Sequence, residues 1–174
     1  MANWLARAEN STKKVAEGNR EVIPIFWITI YGLLSDFADF IEEHAEFMAK
    51  HPDRVKKAGL KIDELAPVQA SLKNLLKVFD YDELIYLQYR RHVECHPLQS
   101  AYRLRVRDGR LVDQVNHRLI KSVATVDETN AAIERVLLKF KIDENKIAEN
   151  FAKRSLIAVG ILKSDALPVF GLPS

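Results

Sequence analysis

The run Val22-Ile23-Pro24-Ile25-Phe26-Trp27-Ile28-Thr29-Ile30-Tyr31-Gly32-Leu33-Leu34 is the most apolar in this chain, and its length decides the fold. It holds thirteen residues, stops just before Asp36 and contains Pro24. Crossing a bilayer takes about 20 residues, so this is a buried helix and not a membrane span. Proline is tolerated in a first helical turn, which places the start near Pro24. From there to Lys50 the apolar residues Phe26, Ile30, Leu33, Leu34, Phe37, Ile41 and Met48 recur largely at three- and four-residue steps. His51-Pro52-Asp53 ends the helix, and Gly59 breaks the polar connection that follows.

The same period continues on both sides. Asn3 to Glu17 is weakly amphipathic through Trp4, Leu5, Ala8 and Val15, and residues 1–20 read as an N-terminal docking helix or a frayed one. Leu65, Val68, Leu72, Leu75, Leu76 and Phe79 form one stripe with lysines opposite. Asp80 is placed to N-cap a helix from Asp82 to about Cys95, with acidic residues in its first turn as the helix dipole prefers. Between Ala101 and Val115 the pattern changes. Tyr102, Leu104 and Val106 alternate with Arg103, Arg105 and Arg107, followed by Asp108-Gly109 and Arg110-Leu111-Val112. Alternation around Asp-Gly predicts a β-hairpin, with a helix broken at Gly109 as the other solution.

Helix is expected again from Val115 to Val123. Thr125-Val126-Asp127-Glu128 is a capping-box pattern, ahead of Ile133, Val136, Leu137 and Phe140. Asp143 can cap a last helix carrying Ile147, Phe151 and Ile157. The tail, residues 164–174, is apolar from Leu167 onward and is expected to pack back on the core. The fold class is therefore all-α: a single domain over 1–174, a helical bundle with a small β-hairpin insertion near residues 101–115.

With 174 residues, 48% hydrophobic and 29% charged, the chain can bury a core of its own. One cysteine, Cys95, excludes an intramolecular disulfide framework and a multi-cysteine zinc site. No secretory signal pattern is visible, and a reducing, cytoplasmic location is expected. The net charge is only +2, yet Arg90 to Lys121 holds eight cations against three anions. That local +5 points to an anionic partner, RNA among the candidates. A solvated face paired with carboxylates elsewhere is the plain alternative.

The chemistry concentrates in Tyr89-Arg90-Arg91-His92-Val93-Glu94-Cys95-His96-Pro97. Cleaving RNA without a metal needs a base for the 2′-hydroxyl, an acid for the leaving oxygen and cations for the phosphorane. Histidine suits the proton transfers and arginine, with its fixed fork of donors, suits the charge. On a regular helix Arg91 and His96 would diverge by about 140°. Residues before proline are disfavoured in the α region, so His96 should leave the helix and turn back toward Arg91.

Arg91-His92-Val93-Glu94-Cys95-His96 resembles the RNase signature of the HEPN family: an Arg, a polar residue, and a His a few positions later, late in a helix. The resemblance spans six residues of 174. It implies a small helical bundle that dimerises to bring two motifs into one composite cleft. It also implies metal-independent endonucleolytic cleavage leaving a cyclic phosphate, without a cofactor. By match Arg91 would stabilise the phosphate, His96 would handle the proton, and His92 fills the polar slot. Arg90, Arg103, Arg105, Arg107 and Arg110 would then draw in the RNA backbone. A toxin or phage-defence role at a homodimer interface, held by an antitoxin or regulatory protein, is the function implied.

Other readings of these residues stay open. The histidines at 92 and 96 have the spacing of a metal pair on one helix face, without an obvious third ligand. Cys95 beside His96 offers a thiol, but a small buried residue is the simpler role. Arg90, Arg91 and His92 can also be plain surface residues, with Val93 and Cys95 packing. His44 reads as solvated or salt-bridged, and His117 as structural, with membership of the basic face as the other reading. The runner-up function is a non-catalytic helical interaction protein, an immunity protein or assembly subunit, gripping a partner through the basic face and the C-terminal tail.

Overall fold

The computed structural model describes residues 2–57, 77–96, 105–107, 110–112, 114–161 and 163–164. The Gly59 connection, the stripe from Leu65 to Leu76, Arg103, the Asp108-Gly109 pair and the tail from Leu167 lie outside the described residues. Six helices and two short antiparallel ladders are described: α1 (Ala2–Ala16), α2 (Ile23–Lys50), α3 (Pro52–Lys57), α4 (Tyr81–Cys95), β1 (Arg105–Arg107), β2 (Arg110–Val112), β3 (Gln114–His117), β4 (Ser122–Thr125), α5 (Val126–Lys139) and α6 (Glu144–Ile161). The chain is an all-α bundle carrying small β-hairpins.

The long apolar run is indeed a helix of the bundle. In α2, Phe26, Trp27, Ile30, Leu33 and Leu34 are all buried. Trp27 sits at the centre, 5.3 Å from the Phe151 ring of α6 and 6.0 Å from the Tyr86 ring of α4, both edge-on. Such tilted pairs add about 0.5–1.5 kcal/mol beyond the area they bury. α1 is built into this core: Leu5, Ala8 and Val15 are buried, and Ser11 shares a 2.9 Å hydrogen bond with Thr29 of α2. Among the described residues no helix is long and apolar enough to cross a membrane.

The expected caps hold three helix starts. Asp80 Oδ1 accepts from Glu83 N–H at 2.8 Å while Glu83 Oε2 accepts from Asp80 N–H at 3.0 Å, opening α4. Thr125 and Glu128 form the same reciprocal pair at α5, at 3.1 and 2.8 Å. Asp143 Oδ1 accepts from Asn145 and Lys146 N–H groups, starting α6. Each cap satisfies donors that a helix start otherwise leaves unpaired.

The first hairpin forms where alternation predicts it, with Arg105 opposite Val112, Val106 opposite Leu111 and Arg107 opposite Arg110. The helix expected from Val115 to Val123 does not form. β3 and β4 make a second hairpin there, with Gln114 opposite Thr125 and His117 opposite Ser122. The reason is a two-residue period: Val115 and His117 are buried while Gln114 and Asn116 are exposed. Lys121, at φ 48°, turns the chain in the left-handed region where glycine is the usual residue.

A second left-handed pair ends α5. Lys141 N–H reaches Leu138 O at 3.0 Å and Ile142 N–H reaches Leu137 O at 2.7 Å, the two bonds of a Schellman closure. Lys141 and Ile142 have φ of 56° and 61°. Left-handed backbone costs a side-chain-bearing residue about 1–2 kcal/mol, offset in a glycine by extra unfolded-state entropy. Lys141→Gly should therefore raise stability by about 0.5–1 kcal/mol and Tm by roughly 2 °C. A thermal melt showing a lower Tm would contradict this.

Candidate functional site

The last turns of α4 hold the residues in question. Gln88, His92 and His96 follow at four-residue steps, a single stripe along the helix. α4 stops at Cys95, and His96 occupies the C-cap with φ −136° and ψ 63°, outside the helical region. Its backbone N–H still bonds His92 O at 2.9 Å. The two imidazole rings lie 5.0 Å apart, tilted by 47°. His96 is exposed and Arg91 and His92 are half-buried, so the stripe opens to solvent at its C-terminal end. Among the described residues no third His, Cys, Asp or Glu side chain joins the pair in a metal-binding group.

The two adjacent arginines have different environments. Arg90 is only 12% exposed; its Nη2 donates to Glu94 Oε1 at 2.6 Å, its Nη1 to Glu144 at 3.4 Å, and it lies 5.9 Å from the Trp27 ring. It braces α4 against α6, so its charge is already committed. Arg91 instead rests over the Tyr31 ring of α2 at 5.6 Å. Such cation–π contacts hold a guanidinium in place while leaving its N–H donors to other acceptors. Val93 and Cys95 are half-buried beside them.

Tyr31 connects this helix end to the second hairpin. Its hydroxyl lies 3.4 Å from Gln88 Oε1, which also accepts the Arg118 N–H at 3.0 Å. Gln88 Nε2 donates to Asn116 O at 2.9 Å. Burial pushes the Tyr31 phenol above its ordinary range against the opposing charges of Arg91 and Arg118, so it stays a protonated donor. The second half of α4 thus carries His92 and His96 on one stripe, with Arg91 over Tyr31 of α2 and the Arg118 backbone of the β3–β4 turn tied to Gln88. Arg118 belonged to the basic segment by composition, but its place beside Gln88 depends on a contact 30 residues apart, which periodicity does not reveal.

No family model, curated protein or solved structure matches the chain. Arg105, Arg107 and Arg110 lie on the first hairpin, and Arg103 lies outside the described residues. The ladder sets Arg107 directly opposite Arg110, with Arg105 two residues along the same strand.

His117 is structural, as expected. It is 1% exposed, and its Nε2 shares a 2.9 Å hydrogen bond with Thr129 Oγ1, joining β3 to α5. Burial lowers its pKa below the ordinary 6.5, because the cationic form loses hydration. The unfolded chain then binds the proton more readily than the folded one. Stability is fully present above pH 6.5 and falls as the pH drops below it. Comparing Tm at pH 5 and pH 7.5 should show a larger loss for wild type than for His117→Gln; equal losses would refute it.

Proposed function

We propose that this protein is a HEPN-like, metal-independent endoribonuclease of the toxin or phage-defence type. The supporting observation is the end of α4, where the C-cap His96 leaves the helix with its imidazole exposed and 5.0 Å from that of His92, the residue next to Arg91. Arg91 stabilises the phosphate in the transition state; His96 takes the proton of the attacking 2′-hydroxyl and returns it to the 5′-oxygen as the P–O5′ bond breaks, with His92 beside it. The products are a 2′,3′-cyclic phosphate and a free 5′-hydroxyl. A two-fold homodimer sets two such ends side by side as one cleft, in the cytoplasm, with an antitoxin or regulatory protein holding it in check.

The first hairpin serves as the RNA grip. The ladder register sets Arg107 opposite Arg110. Arg105, Arg107 and Arg110 together give this one hairpin three cations for a phosphate backbone. Purified protein should sediment as a dimer at micromolar concentration and cut mixed tRNA and mRNA in EDTA, while folded His96→Ala should not. A monomer, or RNA left intact by wild type, would favour the second reading, a non-catalytic interaction protein. The internal pairing of Arg90 takes one cation of the basic segment off the surface, so the grip falls to the hairpin arginines.

A further inference from the structure

We infer that Arg118 is a second phosphate-binding residue of the Arg91 face, and that Gln88 is the positioning residue that holds it there. The inference takes its ligand, an RNA phosphodiester, from the function proposed above. Its geometry is independent of that function.

The β3–β4 turn reaches α4 through one side chain. Gln88 accepts the Arg118 N–H at 3.0 Å and donates to Asn116 O at 2.9 Å, gripping the strand end and the turn at once. The same Oε1 lies 3.4 Å from the Tyr31 hydroxyl. Gln88 is one helical turn before His92 and two before His96, so the turn is docked at one end of the stripe whose other end carries the C-cap histidine. Arg91, three residues after Gln88, lies over the ring of the same Tyr31. Arg91 and Arg118 are thereby brought around one phenol by three elements distant in sequence.

Other arginines on and around α4 are already engaged. Arg90 bonds Glu94, Arg135 bonds Asp82 and Arg154 bonds Glu83. Among the described residues no carboxylate bonds Arg91 or Arg118. Arg118 is exposed and Arg91 half-buried, which leaves their donors open to a phosphate arriving from solvent. An arginine on this turn and one on α4, tied to the same Tyr31–Gln88 pair, can each offer a fork of donors to the oxygens of a phosphodiester.

The test uses the full chain and a fluorescein-labelled single-stranded oligodeoxyribonucleotide, which lacks the 2′-hydroxyl and cannot be cleaved by the proposed route. Kd is measured across a range of salt concentrations. Arg118→Ala should weaken binding roughly tenfold and lower the salt slope by about 0.7, one phosphate contact on a single strand. Arg118→Lys should restore most of the slope. Gln88→Ala should show a similar loss, and the Gln88→Ala/Arg118→Ala double variant should lose no more than Arg118→Ala alone. A Gln88 of merely structural use would lower Tm without sharing the loss in binding.

A wild-type Kd and slope in folded Arg118→Ala would overturn the site, as would a wild type that fails to bind the probe. Additive losses in the double variant would overturn the positioning role of Gln88. Loss of probe binding in Arg118→Ala, from a wild type that leaves RNA intact, would keep this site and remove the nuclease function.

Discussion

Arg154→Met is expected to lower the unfolding free energy by about 3–5 kcal/mol, the cost of breaking a buried ion pair from one side. Glu83 is 1% exposed, at the first turn of α4. Arg154 of α6 binds both its carboxylate oxygens, at 2.7 and 2.9 Å, and donates to Val78 O at 3.2 Å. Its guanidinium lies 5.0 and 5.1 Å from the Phe79 and Phe151 rings. Lys139 of α5 adds a third bond to Glu83 at 2.8 Å. One carboxylate therefore ties three helices together and closes the α4 capping box.

Methionine keeps the apolar stem of Arg154 but leaves Glu83 charged and buried, with only Lys139 and the Asp80 N–H to satisfy it. Urea unfolding measures the loss, and a change under about 1 kcal/mol would contradict the assignment. The double variant Glu83→Leu/Arg154→Met should lose less than Arg154→Met alone, because neither charge is then stranded. Burial alone would raise the Glu83 carboxyl. Its bonds to Arg154, Lys139 and Asp80 N–H outweigh burial and hold it at about 2, down from 4.5. Stability from this depressed carboxyl is present above pH 4.5 and is lost as the pH falls through about 2. The amount is on the order of 3 kcal/mol. This loss sets in below pH 4.5, whereas the one assigned to His117 sets in below pH 6.5.

His96→Ala and Arg91→Ala are each expected to reduce RNA cleavage by about 10²–10⁴-fold while leaving the melting curve nearly unchanged. His96 is exposed at the end of its helix, so little packing is lost with it. Arg91 covers the Tyr31 ring, and its removal costs only about a cation–π contact in stability, on the order of 1 kcal/mol. Arg91→Lys keeps the charge but not the fork of donors, and activity should fall between wild type and Arg91→Ala. Single-turnover cleavage of a defined RNA measures all three. Wild-type rates in either alanine variant would remove that residue from the site.

Local signals account for the parts of this fold that were readable in advance. Asp80, Thr125 and Asp143 announce their helices because a cap acts within three residues of itself. The Asp108-Gly109 alternation announces the first hairpin for the same reason. The second hairpin escaped because its turn, Arg118 to Lys121, carries none of the usual turn residues, and Lys121 takes the left-handed position itself. The Arg91 to His96 pattern and the end of its helix are also local. What surrounds them is not: Gln88 meets Arg118 across 30 residues, and Glu83 meets Arg154 across 71. Charge counting placed Arg90 on the basic face without foreseeing that Glu94 and Glu144 would take it.

Incubating defined RNA with purified protein in EDTA, followed by analysis of the product ends, tests the nuclease function most directly. Wild type should yield 2′,3′-cyclic phosphate and 5′-hydroxyl ends, and His96→Ala should yield neither. RNA left intact by a folded, dimeric wild type, or ends carrying 5′-phosphate and 3′-hydroxyl, would contradict it.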